Sequence, residues 1–160
     1  MLKCQHGVFY TSVMTKGALT EEEMASWLRF RFTGEETSLR VSRELANLTG
    51  ITGGQFGILN NLAIQGGQVR QQRLADLMRW DRTRLSHQIT RMTNKGYVRR
   101  VKRPSDGTMV VITPLGRREL SRIRPVLADA VRKHYFTRLT QDQLRAVDNL
   151  AEALKDCPGS

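Results

Sequence analysis

A chain of 160 residues can bury a hydrophobic core and suits one compact domain or two intergrown ones. Its formal net charge of +11 and pI near 10.6 point to an anionic partner, nucleic acid before a membrane surface. No apolar run approaches the roughly 20 residues that a spanning helix needs. The N-terminal Met1-Leu2-Lys3-Cys4-Gln5-His6 lacks the apolar stretch and small-residue cleavage site of a signal peptide, so a cytoplasmic protein is expected.

Residues 1–19 show no period and read as a lead-in. Thr20 and Glu23 form a capping box, and the acids Glu21 to Glu23 suit a helix N-terminus. Apolar Met24, Trp27, Leu28, Val41, Leu45 and Leu48 then predict one long helix, with Thr33-Gly34 as a place to kink or interrupt it. Gly53-Gly54-Gln55 opens a second helix, apolar over a wide face (Phe56, Ile58, Leu59, Leu62, Ala63) and stopped by Gly66-Gly67. A third, short helix covers Gln71 to Met78. After the turn at Trp80-Asp81, Asp81 caps a fourth from Arg82 to Asn94 or Lys95, with Gly96 as its C-terminal stop.

The pattern then changes to β. Tyr97–Lys102 and Met109–Ile112 flank a turn, Arg103 to Thr108, that carries an Asp-Gly signal. Thr113 and Pro114 start a fifth helix with Leu120, Ile123, Leu127 and Val131 on one face, predicted to run to about Arg138. Thr140 begins a sixth, striped with Leu144, Val147, Leu150 and Leu154. The fold class expected is mainly α with a small β-hairpin wing, a winged helix-turn-helix flanked by N- and C-terminal helices.

Chemistry concentrates on the fourth helix. At about 100° per residue, Leu85, Ile89 and Met92 fall on one side and Thr83, His87, Thr90 and Asn94 on the other. A recognition helix needs such an arrangement, an anchored inner face and an outer face of donors and acceptors for base edges and phosphates. Thr83, Arg84, Ser86, His87, Gln88 and Arg91 are the candidate groove contacts. Between Arg70 and Arg103 the only acids are Asp76 and Asp81, against eleven arginines and lysines. On the wing, Arg100, Lys102 and Arg103 are the candidates, Arg103 near the tip where it can meet phosphates or the minor groove.

Four segments resemble the MarR family of bacterial transcription regulators. They are Arg73-Leu74-Ala75-Asp76-Leu77, the run from Trp80 to Met92, Gly96-Tyr97-Val98-Arg99-Arg100, and Asp106 followed by Val110 to Gly116. The resemblance covers roughly residues 20–156. It implies a winged helix-turn-helix DNA-binding domain over 50–113 and a dimerisation region over 20–48 and 114–156, in which the first, fifth and sixth helices intertwine in a homodimer. It implies double-stranded DNA as partner; a two-fold dimer then predicts a pseudo-palindromic operator, and occupying it near a promoter would block polymerase, which favours repression and leaves activation open. It also implies a small aromatic ligand between the dimerisation helices and the DNA-binding lobe, with Trp27, Phe30, Phe32, Phe56, Leu59 and Leu62 as residues that can line such a cleft. One departure stands out: the family usually has an arginine two residues after the wing aspartate, and this chain has Thr108, leaving Arg103 to supply the contact.

An enzyme is not expected. His6, His87 and His134 lack metal-ligand spacing, and no glycine loop leads into a phosphate-binding lysine. No cofactor or metal is expected. The alternatives are a nonspecific or architectural DNA-binding protein, and a thiol-based redox-responsive regulator using Cys4 or Cys157.

Overall fold

All but one of the α-helix starts among the described residues are closed by side chains. In the computed structural model, which describes residues 17–104 and 107–155, the Thr20 backbone N–H donates to Glu23 Oε2 at 2.7 Å and the Glu23 N–H donates to Thr20 Oγ1 at 3.1 Å. This capping box opens α1, Glu21–Thr49. Cys4, His6, Cys157 and the wing aspartate Asp106 lie outside the described residues, as do the redox reading of the cysteines and the expectation of a lead-in before residue 17.

Thr33-Gly34 does not interrupt the helix: α1 continues for 29 residues. One interior glycine costs a helix only about 1 kcal/mol. The Arg31–Glu35 pair at 3.7 Å bridges that turn. A second capping box, Thr52 with Gln55, opens α2, Gly53–Ile64. It makes Gly53 and Gly54 the first turn of the helix.

A three-residue strand absent from the sequence expectation follows: β1, Gln68–Arg70. Then come α3, Gln71–Met78, and α4, Arg82–Asn94, with the predicted bounds. The wing is β2, Val98–Arg103, paired with β3, Gly107–Ile112. The sheet is antiparallel in the order β1-β3-β2, with Gln68 opposite Val111, Val98 opposite Ile112 and Arg103 opposite Gly107. Arg103 is therefore a paired strand residue rather than part of the turn.

α5 spans Pro114–His134, capped by Thr113. It stops four residues short of the expected end. Tyr135 leaves helical geometry (φ −127°, ψ −69°), and Phe136–Arg138 form a 3-10 turn. Tyr135-Phe136-Thr137 is a run of weak helix formers, and the Tyr135 and Phe136 rings meet edge to face at 5.1 Å. Finally α6 covers Gln141–Lys155.

The chain divides into two units, Met1–Glu35 and Glu36–Ser160. In the first, Trp27, Phe30 and Phe32 are about half exposed, with the Trp27 and Phe30 rings 6.0 Å apart. In the second, the core lies where α2, α3, α4 and the sheet meet. Ile58, Leu59, Leu62, Leu74, Leu85, Ile89, Met92 and Val110 are all 0% exposed, each burial stabilising by about 1.5–3 kcal/mol. A smaller cluster of Leu45, Ile51 and Ile123 ties the end of α1 to α5. Beside it, Arg122 donates to the Thr49 carbonyl at 3.0 Å and pairs with Glu119, whose carboxyl that guanidinium holds below the usual carboxylate range.

Candidate nucleic-acid interface

Two devices fix α4 in place. Asp81 Oδ1 accepts from the Arg84 backbone N–H at 2.7 Å, closing the first turn. Leu85, Ile89 and Met92 are fully buried beneath it. The corner before it turns at Arg79, whose left-handed backbone (φ 51°, ψ 43°) lets the Trp80 N–H donate back to the Ala75 carbonyl at 3.0 Å. Trp80 then lies against the start of α2, where a β-carbon at position 54 would stand 2.7 Å from its ring. Only glycine admits that approach.

The six predicted helix contacts do not share one environment. Thr83, Arg84, His87 and Arg91 are exposed on the face opposite the core. Arg84 is also held, its guanidinium carbon 4.2 Å above the centre of the Trp80 ring. Gln88 is half-buried, with its amide nitrogen 3.5 Å from Thr52 Oγ1. Ser86 is half-buried too, and its carbonyl and hydroxyl accept from a wing arginine.

That arginine is Arg100. Strand alternation puts Val98, Arg100 and Lys102 on the face of β2 that looks toward the helices, and Arg99, Val101 and Arg103 on the other. Val98 sits in the core at 1% exposure, and the following inward residues emerge over α3 and α4. Arg100 Nε donates to Gln71 Oε1 at 3.2 Å, Nη1 to Thr90 Oγ1 at 3.1 Å, and Nη2 to Ser86 at 2.9 Å (carbonyl) and 3.4 Å (hydroxyl). Its guanidinium is thus turned onto the protein.

Arg103 lies on the far face, and its Nη2 donates to Gln68 Oε1 at 3.0 Å. Lys102 is exposed and directly opposite Thr108 in the register. The residue that shares a face with the unexpected threonine is therefore Lys102. The predicted wing trio separates into an exposed arginine bonded to α3 and α4, an exposed lysine beside Thr108, and an arginine bonded to β1. Sequence reasoning placed Thr90 on the outer face of α4 without giving it a partner, and gave Gln71 and Trp80 no role in the site. Alternation along β2 was the available signal for Arg100.

A groove of about 320 Å³ lies between the first turn of α3 and the wing, lined by residues including Gln71, Gln72, Arg82, Gly107 and Thr108. The cleft expected around Leu59 and Leu62 is not formed by those residues, since both are 0% exposed and packed in the core. Among the described residues, no cluster of three His, Cys, Asp or Glu side chains is placed to hold a metal ion, and no helix is long and apolar enough to cross a membrane.

Comparison with known proteins agrees with this geometry. The MarR family model matches residues 49–107. Among solved structures, Sco3205 of Streptomyces coelicolor, a MarR family transcriptional regulator determined in complex with DNA, is 30% identical, with 87% of this chain and 92% of that one covered at a TM-score of 0.76. AbsC, a MarR family transcriptional regulator of the same organism, is 30% identical over 89% of this chain and 100% of its own, at a TM-score of 0.74. A cysteine-to-serine mutant of Escherichia coli MarR, complexed with operator DNA, shares the fold at a TM-score of 0.73 and 20% identity, covering 86% of this chain and 99% of its own. No curated protein sequence gives a significant match. The similarity to Sco3205 and AbsC extends over nearly the whole of each chain, through the helix-turn-helix, the wing and the flanking helices, and by it the protein belongs to the MarR family of winged helix-turn-helix transcription regulators.

Proposed function

We propose that this protein is a homodimeric, sequence-specific repressor that binds a pseudo-palindromic operator in double-stranded DNA. The observation that carries the reading is α4: a helix whose inner face is wholly buried and whose outer face offers Thr83, Arg84, His87 and Arg91. This is the division of labour that reading the major groove requires. The related Sco3205, crystallised with DNA, supports it. Residues 50–113 form the DNA-binding domain, with Lys102 as the wing contact. Residues 20–48 and 114–156 form the dimerisation region.

Dimerisation is supported by α6, which buries none of its residues and leaves Val147, Leu150 and Leu154 41–50% exposed. A continuous apolar stripe of that kind on a charged protein favours a partner surface. Two-fold symmetry sets the half-sites about one helical turn apart, and a dimer seated at a promoter excludes polymerase.

Electrophoretic titration against the protein's own promoter region and against random duplex, at two salt concentrations, tests the reading. Specific binding should exceed nonspecific by about 10³-fold or more. Equal affinity for the two duplexes would assign an architectural role instead. Sedimentation of the free protein as a monomer would remove the symmetric operator.

A further inference from the structure

We propose that Arg100 is a positioning residue that locks the recognition helix to the wing, and that it is not itself a DNA contact. The inference rests on the DNA-binding reading above and assigns one of its basic residues a different task.

A guanidinium has five N–H donors in one plane. Here four hydrogen bonds run from it to Gln71, Thr90 and Ser86. The side chain is exposed, yet each of its three nitrogens already has a protein acceptor on α3 or α4. The acceptors belong to two helices and the donor to a strand, so a single side chain ties α3, α4 and β2 together above the core. Thr90 Oγ1 also donates to the Ser86 carbonyl at 3.0 Å, so the clamp closes onto one turn of α4. That turn carries His87 on its outer face and leads into Arg91. Holding it fixes the spacing between the groove-reading face and Lys102 on the wing, two positions that must meet one DNA backbone at once. Such bonds preorganise a binding face, which limits the ordering cost on association.

Lysine cannot replace this fork, because its three donors radiate from one nitrogen. Charge and clamp can therefore be separated with Arg100→Lys, Arg100→Ala and Thr90→Val, read in two ways. The first readout is amide hydrogen exchange of the DNA-free protein. Both Arg100 variants should speed exchange about equally along Ser86–Asn94 and β2, with the rest of the core unchanged. The second is affinity for the operator or for promoter duplex across a salt series. Arg100→Lys should lose affinity to within about threefold of Arg100→Ala, and should cost less in a Thr90→Val background because the two share one interaction.

A phosphate contact gives the opposite pattern. Lysine then restores most of the affinity, alanine lowers the slope of log K against log salt by about one, and exchange in the free protein does not change. That result overturns the proposal. Should the wild-type protein fail to bind duplex DNA, the functional reading fails, while the exchange data still decide whether Arg100 clamps the helix. If Arg100→Ala does not fold, Arg100→Lys and Thr90→Val carry the same test.

Discussion

Arg84, in the first turn of the helix that faces outward, lies over Trp80, its guanidinium carbon 4.2 Å from the ring centre. The stacking holds the side chain on the exposed face before any partner arrives. Arg84→Ala is expected to cost about 1–3 kcal/mol of operator affinity if the side chain reads a base. Trp80→Leu leaves the arginine in place but removes its platform, and should cost about 0.5–1 kcal/mol. In the Trp80→Leu background the loss on Arg84→Ala should shrink. Titrations of the four proteins against one duplex check this, and fully additive losses would show that the platform does not orient the arginine.

Asp81 closes the start of α4 through its 2.7 Å bond from the Arg84 N–H. Asp81→Ala should lower stability by about 0.5–2 kcal/mol and Asp81→Asn by less, since asparagine caps nearly as well. Urea unfolding of the three proteins gives both numbers. A loss as large in Asp81→Asn as in Asp81→Ala would mean that charge, not the hydrogen bond, is what matters there.

The helix-turn-helix was legible because its signals are local. Asp81, the Leu85-Ile89-Met92 stripe and Gly96 bound α4 from within 16 residues of sequence, and α3 and α4 end where those signals place them. The Thr52–Gln55 capping box was equally readable but hidden behind two glycines. β1 was not readable, since three residues have too short a period to register and pair only with Val111, Val110 and Met109 some forty residues on. The different surroundings of the basic wing residues were hidden for a related reason. Charge alone marked Arg100, Lys102 and Arg103 as equivalent, but their partners Gln71, Thr108 and Gln68 come from different elements. Only the folded register shows which of these exposed cations has protein acceptors around it. The family's absent wing arginine drew attention to Arg103, whereas the register places Lys102 beside Thr108.

Gly116 and Gly34 should respond to alanine with opposite signs. A β-carbon at Gly116 would collide with the Tyr97 carbonyl oxygen. That carbonyl already accepts from the Thr113 N–H at 3.0 Å. Gly116→Ala must push α5 from the wing base, at a cost of about 1–3 kcal/mol or more. Gly34 is exposed within α1 with nothing within 4 Å of the added carbon. Gly34→Ala should stabilise by about 0.5–1 kcal/mol. Thermal melts of both variants test the pair, and a neutral Gly116→Ala would mean that the helix and wing separate easily.

Glu44 supplies a pH-dependent link between α1 and α5. Partly buried, it accepts from Lys133 Nζ at 3.0 Å and meets His134 Nε2. The hydrogen bond from Lys133, followed by that from His134, holds its carboxyl below the usual carboxylate range. The folded state therefore favours the ionised form, and the unfolded chain binds the proton first as acid is added. The resulting stability is fully present above the unfolded value of about 4.3 and is lost as pH falls through the lower folded value. Glu44→Gln removes this dependence. Its melting temperature should lie below that of the wild type at neutral pH, and the gap should close on acidification through about pH 4. A constant gap across that range would show that the glutamate acts by packing alone. Lys133→Ala should reproduce part of the same convergence, because it removes the leading cause of the shift while His134 keeps its contact.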